Sequence, residues 1–118
     1  MERPAIEIEQ GESAAVVALR GEHDLSTAEE LRRQLGPLGD AQAVVVVDLT
    51  DTAFIDSSVL GVLIAEHDRA GRNGGRFAVV LGEGSAHGVR RVFDLAGVGS
   101  VLNVVGSREE AVRPPAAD

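Results

Sequence analysis

The middle of the chain changes its hydrophobic rhythm once, and the change separates a strand from a helix. Val44-Val45-Val46-Val47-Asp48-Leu49 is apolar, β-branched and without alternation, as expected of a strand covered on both faces inside a parallel sheet and not at its edge. Polar Thr50-Asp51-Thr52 follows, then Ala53-Phe54-Ile55. After Asp56-Ser57-Ser58 the apolar positions become Val59, Leu60, Val62, Leu63 and Ile64, with His67 beyond, a helical period. Ser57 is therefore expected at a helix start, where a hydroxyl can accept from unpaired first-turn N–H groups and the helix dipole favours negative charge such as a phosphate.

The flanking segments extend this pattern. Ala5 to Glu9 alternates, Gln10-Gly11-Glu12 turns, and Ala14 to Leu19 is a second strand, so the chain is expected to open with a β-hairpin. Gly21-Glu22-His23-Asp24 leaves that strand. A helix begins near Ser26 or Thr27 as cap, with Leu25, Leu31, Leu35 and Leu38 as its apolar side, and ends at Gly36-Pro37 and Gly39-Asp40. Gly71 to Arg76 breaks the chain before a strand at Phe77 to Leu81. Val89, Val92, Phe93 and Ala96 mark a helix ending at Gly97; Val101 to Val105 is a short strand, and Ser107 to Val112 a final helical turn or two. The expectation is an α/β fold with a mainly parallel sheet, preceded by an N-terminal β-hairpin, in one domain over residues 1–113 with a flexible tail at 114–118. The C-terminal strand ends would gather Gly21 to Asp24, Thr50 to Ser58 and Gly82 to His87 on one rim, where function is expected.

Composition narrows the classes. The net charge of −8 argues against nucleic acid and favours a basic protein surface as partner; all eleven cations are arginine, so catalysis by lysine is excluded. No cysteine means no disulfide and no thiolate metal site. The apolar runs are too short to span a bilayer and Met1-Glu2-Arg3-Pro4 is no basic signal-peptide start, so a cytoplasmic protein without membrane insertion is expected.

Candidate chemistry is sparse. Asp24 and Asp56 read as turn formers or caps more readily than as an acid/base pair. Asp48 at a strand end invites an aspartyl-phosphate receiver, but the lysine that such a domain implies is missing. Gly82-Glu83-Gly84-Ser85-Ala86-His87-Gly88 misses the dinucleotide spacing by one residue and reads as a solvent loop. Neither Ser57 nor Ser85 stands in GxSxG, and His23, His67 and His87 lack metal-ligand spacing and are expected at surface or half-buried positions. Gly61, inside an apolar helix, implies a close approach by a neighbouring helix, a sheet or a partner protein.

Phe54-Ile55-Asp56-Ser57-Ser58-Val59-Leu60-Gly61-Val62-Leu63 resembles the phosphorylation segment of bacterial anti-sigma-factor antagonists, the STAS-domain family. Gly21-Glu22-His23-Asp24-Leu25 with Thr27-Ala28-Glu29-Glu30-Leu31 is similar to that family's first loop and helix, and Val92-Phe93-Asp94-Leu95-Ala96-Gly97-Val98 to its third helix. The resemblance implies β-α units stacked as a right-handed superhelix, phosphorylation on Ser57, and a partner-binding surface of Glu22, Asp24, Asp56, Ser58, Val59 and Gly61. The family usually has glycine or alanine where this chain has Val59, and a branched side chain there is expected to hinder a kinase approaching Ser57.

The function implied is that of a regulatory protein and not an enzyme, with no cofactor of its own. Unmodified, it binds an anti-sigma factor that is also a serine kinase carrying ATP and magnesium; a serine phosphatase reverses the modification. The alternative is a non-phosphorylated STAS subunit of a larger regulatory assembly or of an ABC transporter, with Ser57 only capping its helix. A small-molecule enzyme is the weakest reading.

Overall fold

A computed structural model of the chain describes residues 3–114. Its strands are β1 (Ala5–Gln10), β2 (Ala14–His23), β3 (Val44–Asp48), β4 (Thr52–Ile55), β5 (Arg76–Val80) and β6 (Val104–Val105). Its helices are α1 (Leu25–Ala41), α2 (Ser57–Arg72), α3 (His87–Ala96) and α4 (Arg108–Val112), with a 3₁₀ turn at Val98–Ser100. Strands run in the order β1-β2-β3-β5-β6, and β4 joins separately along β2. Among the described residues only the β1–β2 hairpin is antiparallel, and every other pairing is parallel. This is the expected α/β architecture, with one strand more than the periodicity showed.

The central strand explains its own composition. In β3 the odd positions Val45 and Val47, with Leu49 just beyond, enter the larger core together with Leu31, Leu35, Leu63, Phe77 and Phe93. The even positions Val44 and Val46 enter a second core with Ala78, Val80 and Ala111. A strand with helices α1 to α3 on one side and α4 on the other has no face to leave polar, hence the unbroken apolar run.

α4 is short and depends on polar ties. Arg108 Nε donates to Asp48 Oδ2 at 2.7 Å, while Asp48 Oδ1 accepts from the Thr50 N–H at 2.9 Å and from Thr50 Oγ1 at 2.6 Å. Arg76 donates to the carbonyls of Arg113 and Val112 at the far end. Both oxygens of Asp48 are thus engaged in holding the second core shut.

Four sequence expectations need correction. Ala53-Phe54-Ile55, to which the hydrophobic rhythm assigns no element, is part of β4, too short and too exposed at Ala53 and Phe54 to carry a periodic signal. Gly21-Glu22-His23 does not leave the second strand: β2 continues to His23 through a register shift at Gly21/Glu22, to pair with β4. α1 does not stop at Gly36-Pro37 but runs on to Ala41. Gly36 and Gly39 allow close packing on α2, where Arg69 ion-pairs with Asp40, and this tertiary contact outweighs the helix bond that Pro37 cannot make. The strand expected over Val101 to Val105 is confined to Val104–Val105, because the 3₁₀ turn and Val101 precede it. Residues 115–118 of the expected tail lie outside the described residues.

Two outcomes test this packing. Leu60 and Leu63 face the larger core at 4% and 0% exposure, so truncating either to alanine is expected to cost about 2–5 kcal/mol in chemical denaturation, and a loss under about 1 kcal/mol would contradict the helix phase. Burial raises the Asp48 pKa, but the Thr50 and Arg108 hydrogen bonds outweigh it and hold the carboxyl below its usual value. A depressed native pKa contributes stability at neutral pH that is lost as pH falls through it. Asp48→Asn is expected to cost about 1–2 kcal/mol at pH 7 and to flatten the acid limb of stability against pH; an unchanged acid limb would exclude this role.

Candidate partner-binding surface

Two helices begin side by side on the rim. The end of β2 runs parallel to β4 with His23 opposite Ile55 and Glu22 opposite Phe54. The residues that follow, Asp24 and Asp56, are the N-caps of α1 and α2. Parallel strands lie about 4.8 Å apart, so the two caps and the helices they start are neighbours by construction. The expected gathering of loops is also present: Gly21, Thr50, Asp51, Thr52, Gly84 and Ala86 line a single open cleft beside them.

The caps are built alike. Asp24 Oδ1 accepts from the Ser26 N–H at 2.9 Å and from Ser26 Oγ at 2.6 Å. Asp56 Oδ1 accepts from the Ser58 N–H at 3.0 Å, from the Val59 N–H at 3.3 Å and from Ser58 Oγ. At α1 Thr27 completes a capping box by accepting from the Asp24 N–H at 3.2 Å. The Ser26 hydroxyl and N–H hold the Asp24 carboxyl below its usual range, so this exposed cap is ionised at neutral pH. In each Asp-x-Ser motif the first helical residue, Leu25 in one and Ser57 in the other, is left out of the cap and exposed.

This geometry revises the roles expected of individual residues. Ser57 does not cap α2; Asp56 does, because a carboxylate one position earlier reaches the orphan N–H groups of the first turn. Likewise Asp24, and neither Ser26 nor Thr27, caps α1. Ser58 is half-buried with its hydroxyl on Asp56, whereas Ser57 stands in solvent. Val59 has 0% exposure and points into the core, so it neither lines the surface nor obstructs Ser57. Glu22 is half-buried on β2. His23 is not a surface residue but 1% exposed, with Nε2 donating to the Arg20 carbonyl at 3.0 Å and Nδ1 paired with Thr27 Oγ1 at 3.1 Å.

Gly61 lies one turn beyond Ser57 on the exposed face, followed by exposed Ala65. A Cβ placed on Gly61 would meet nothing within 4 Å. Among the described residues no neighbouring helix or sheet comes within that distance, which leaves the face from Ser57 to Ala65 narrow and open. Two apolar side chains flank this region that sequence reasoning did not place there: Leu25, 75% exposed where a core position was expected, and Phe54, 45% exposed on β4. The repeated Asp-x-Ser was the signal that could have marked Leu25 as the counterpart of Ser57.

The caps generate a direct test. Asp56→Ala is expected to cost about 0.5–2 kcal/mol, and Ser57→Ala less than about 0.5 kcal/mol, as for an exposed position outside the cap. The opposite order in thermal or chemical denaturation would return the capping role to Ser57.

Comparison with known proteins agrees with this architecture. The model of the STAS domain matches residues 5–111. The chain is 27% identical over 108 residues to the anti-sigma-B factor antagonist of Bacillus subtilis (strain 168), covering 92% of this chain and 96% of that one. It is likewise 27% identical over 109 residues to the anti-sigma F factor antagonist of Paenibacillus polymyxa, covering 91% of each. Among solved structures, an anti-sigma factor antagonist from Mycobacterium paratuberculosis superposes with a TM-score of 0.81 at 25% identity, over 93% of this chain and 92% of that one. With the hairpin, the parallel sheet and the paired helix starts in place, the match over nearly its whole length shows that this chain belongs to the STAS domain family.

Proposed function

We propose that the chain is an anti-sigma-factor antagonist whose binding to an anti-sigma-factor serine kinase is switched by phosphorylation of Ser57. The observation that carries this reading is the position of Ser57: exposed, first in α2, outside a cap that Asp56 already supplies, and beside the acidic cap of the adjacent helix. A hydroxyl with no capping task and an open approach along Gly61 suits a protein kinase acting on the folded chain. The relatives named as anti-sigma factor antagonists support the same reading.

The charge arithmetic favours release without unfolding. A phosphate would add about −1.5 to −2 charges where the helix dipole tolerates them, so α2 keeps its fold. The same charge would stand next to Asp56 and near Asp24 on a chain already at −8. A partner surface selected to meet Glu22, Asp24, Asp56, Ser58 and Gly61 in their unmodified state then meets an extra dianion in a close contact, and desolvating it is costly. A serine phosphatase restores binding. Among the described residues no helix is long and apolar enough to cross a membrane, and we place the exchange in the cytoplasm. A STAS subunit of a transporter or larger assembly is the rival, but its role for Ser57, capping, is filled by Asp56.

The experiment is to incubate the chain with ATP, magnesium and each anti-sigma-factor kinase encoded in the same genome, then map the phosphate. Label on Ser57, lost in Ser57→Ala, is expected. Ser57→Asp should bind the kinase at least about tenfold more weakly than Ser57→Ala, a difference of about 1.4 kcal/mol, while both melt within a few degrees of the wild type. Phosphate on Ser58 in the Ser57→Ala variant, or equal affinities of the two variants together with unimpaired binding by the phosphorylated wild type, would overturn the switch.

A further inference from the structure

We infer that Leu25 is the fixed apolar anchor of the partner surface and enters an apolar pocket on the anti-sigma factor that is rimmed by basic side chains. The inference rests on the function proposed above and names the chemistry of the partner at that same surface.

Three observations converge on Leu25. It is 75% exposed at the first position of a long helix, although α1 buries its other leucines, Leu31, Leu35 and Leu38. It occupies in α1 the place that Ser57 occupies in α2, one residue past a capping aspartate, on strands held in parallel register. Its backbone is held on both sides. The Asp24 N–H donates to Thr27 Oγ1, Thr27 Oγ1 meets Nδ1 of buried His23, and Nε2 of His23 donates to the Arg20 carbonyl. A carbonyl only accepts, so Nε2 carries a proton in this contact. This chain of hydrogen bonds fixes an exposed leucine before any partner arrives, and little ordering entropy remains to be lost on binding.

Charge sets the chemistry of the partner. Glu22 and Asp24 precede Leu25 and Asp56 precedes Ser57, the two aspartates capping helices that start from paired strands, so the apolar tip stands beside acidic groups. An apolar centre with a charged rim is the arrangement in which a few central side chains dominate binding. The complement is an apolar recess surrounded by arginine or lysine. Leu25 then supplies the constant part of the contact and Ser57 the part that modification changes.

Leu95 on α3 provides a matched control, since it is also a leucine and 76% exposed, but on a different element. Wild type, Leu25→Ser, Leu25→Met and Leu95→Ser are titrated against the anti-sigma-factor kinase that the wild type binds, with thermal melting of each variant alongside. Leu25→Ser is expected to weaken binding at least about tenfold, as for a central anchor, with Leu25→Met and Leu95→Ser close to wild type and all four melting alike. Wild-type affinity in Leu25→Ser, or equal losses in Leu25→Ser and Leu95→Ser, would overturn the anchor while leaving the Ser57 switch standing. Failure of the wild type to bind any anti-sigma-factor kinase of its genome would overturn the functional reading, and the anchor with it.

Discussion

The pairing of the last residues of β2 with β4 is the constraint from which the surface follows. β2 is long enough to pair twice, first with β3 over Ala14 to Ala18 and then with β4 over Gly21 to His23. Inside the second pairing the register slips by one residue between Gly21 and Glu22, where Gly21 has a φ of +79° that a side-chain-bearing residue rarely adopts. Thr52 secures the junction from the other side, its buried hydroxyl donating to the Leu19 carbonyl at 2.6 Å. Once these two short segments lie together, their next residues must be the neighbouring caps of α1 and α2. The functional geometry is thus a consequence of backbone pairing more than of contacts between the helices' first turns.

Much of this fold was legible because burial dictates composition. β3 is apolar from Val44 to Val47 since both its faces are covered, and α2 declares its start through the change of period after Ser58. What escaped notice was set by tertiary context. β4 is four residues long, with two exposed, and offers no period to read. Pro37 normally ends a helix, yet packing of Gly36 and Gly39 on α2 carries α1 past it. Leu25 is a leucine of the same segment, but it precedes Leu31 by six residues, about 120° round the helix from the stripe of Leu31, Leu35 and Leu38, and that phase leaves it in solvent. The resemblance around Ser57 pointed to the segment where α2 starts, but which residue caps that helix was not legible. Which of Asp56, Ser57 and Ser58 caps depends on one residue of helix phase, which hydrophobic periodicity does not resolve.

That division has a physical logic. If Ser57 held the cap, modifying it would remove a hydrogen bond from the first turn and couple the switch to the stability of α2. With Asp56 in that role, charge at Ser57 can change while the helix stays closed. Val59, directed into the core, ties the same turn to Leu60 and Leu63. The turn is thus packed on its inner side while Ser57 itself stands exposed. Under the proposed switch, the acidic surroundings are solvated in the free protein and become discriminating when a partner excludes the water.

The central claim is that one partner binds across both helix starts and leaves when Ser57 is charged. Mapping the partner's footprint by backbone amide shifts of the isotope-labelled chain, before and after phosphorylation, tests it most directly. The account predicts perturbations clustered at Asp24, Leu25, Asp56, Ser57 and Gly61, spared at Leu95 and on α4, and abolished by the phosphate while the remaining spectrum stays folded. A footprint centred on α4 and the second core, or one that persists on the phosphorylated chain, would contradict it.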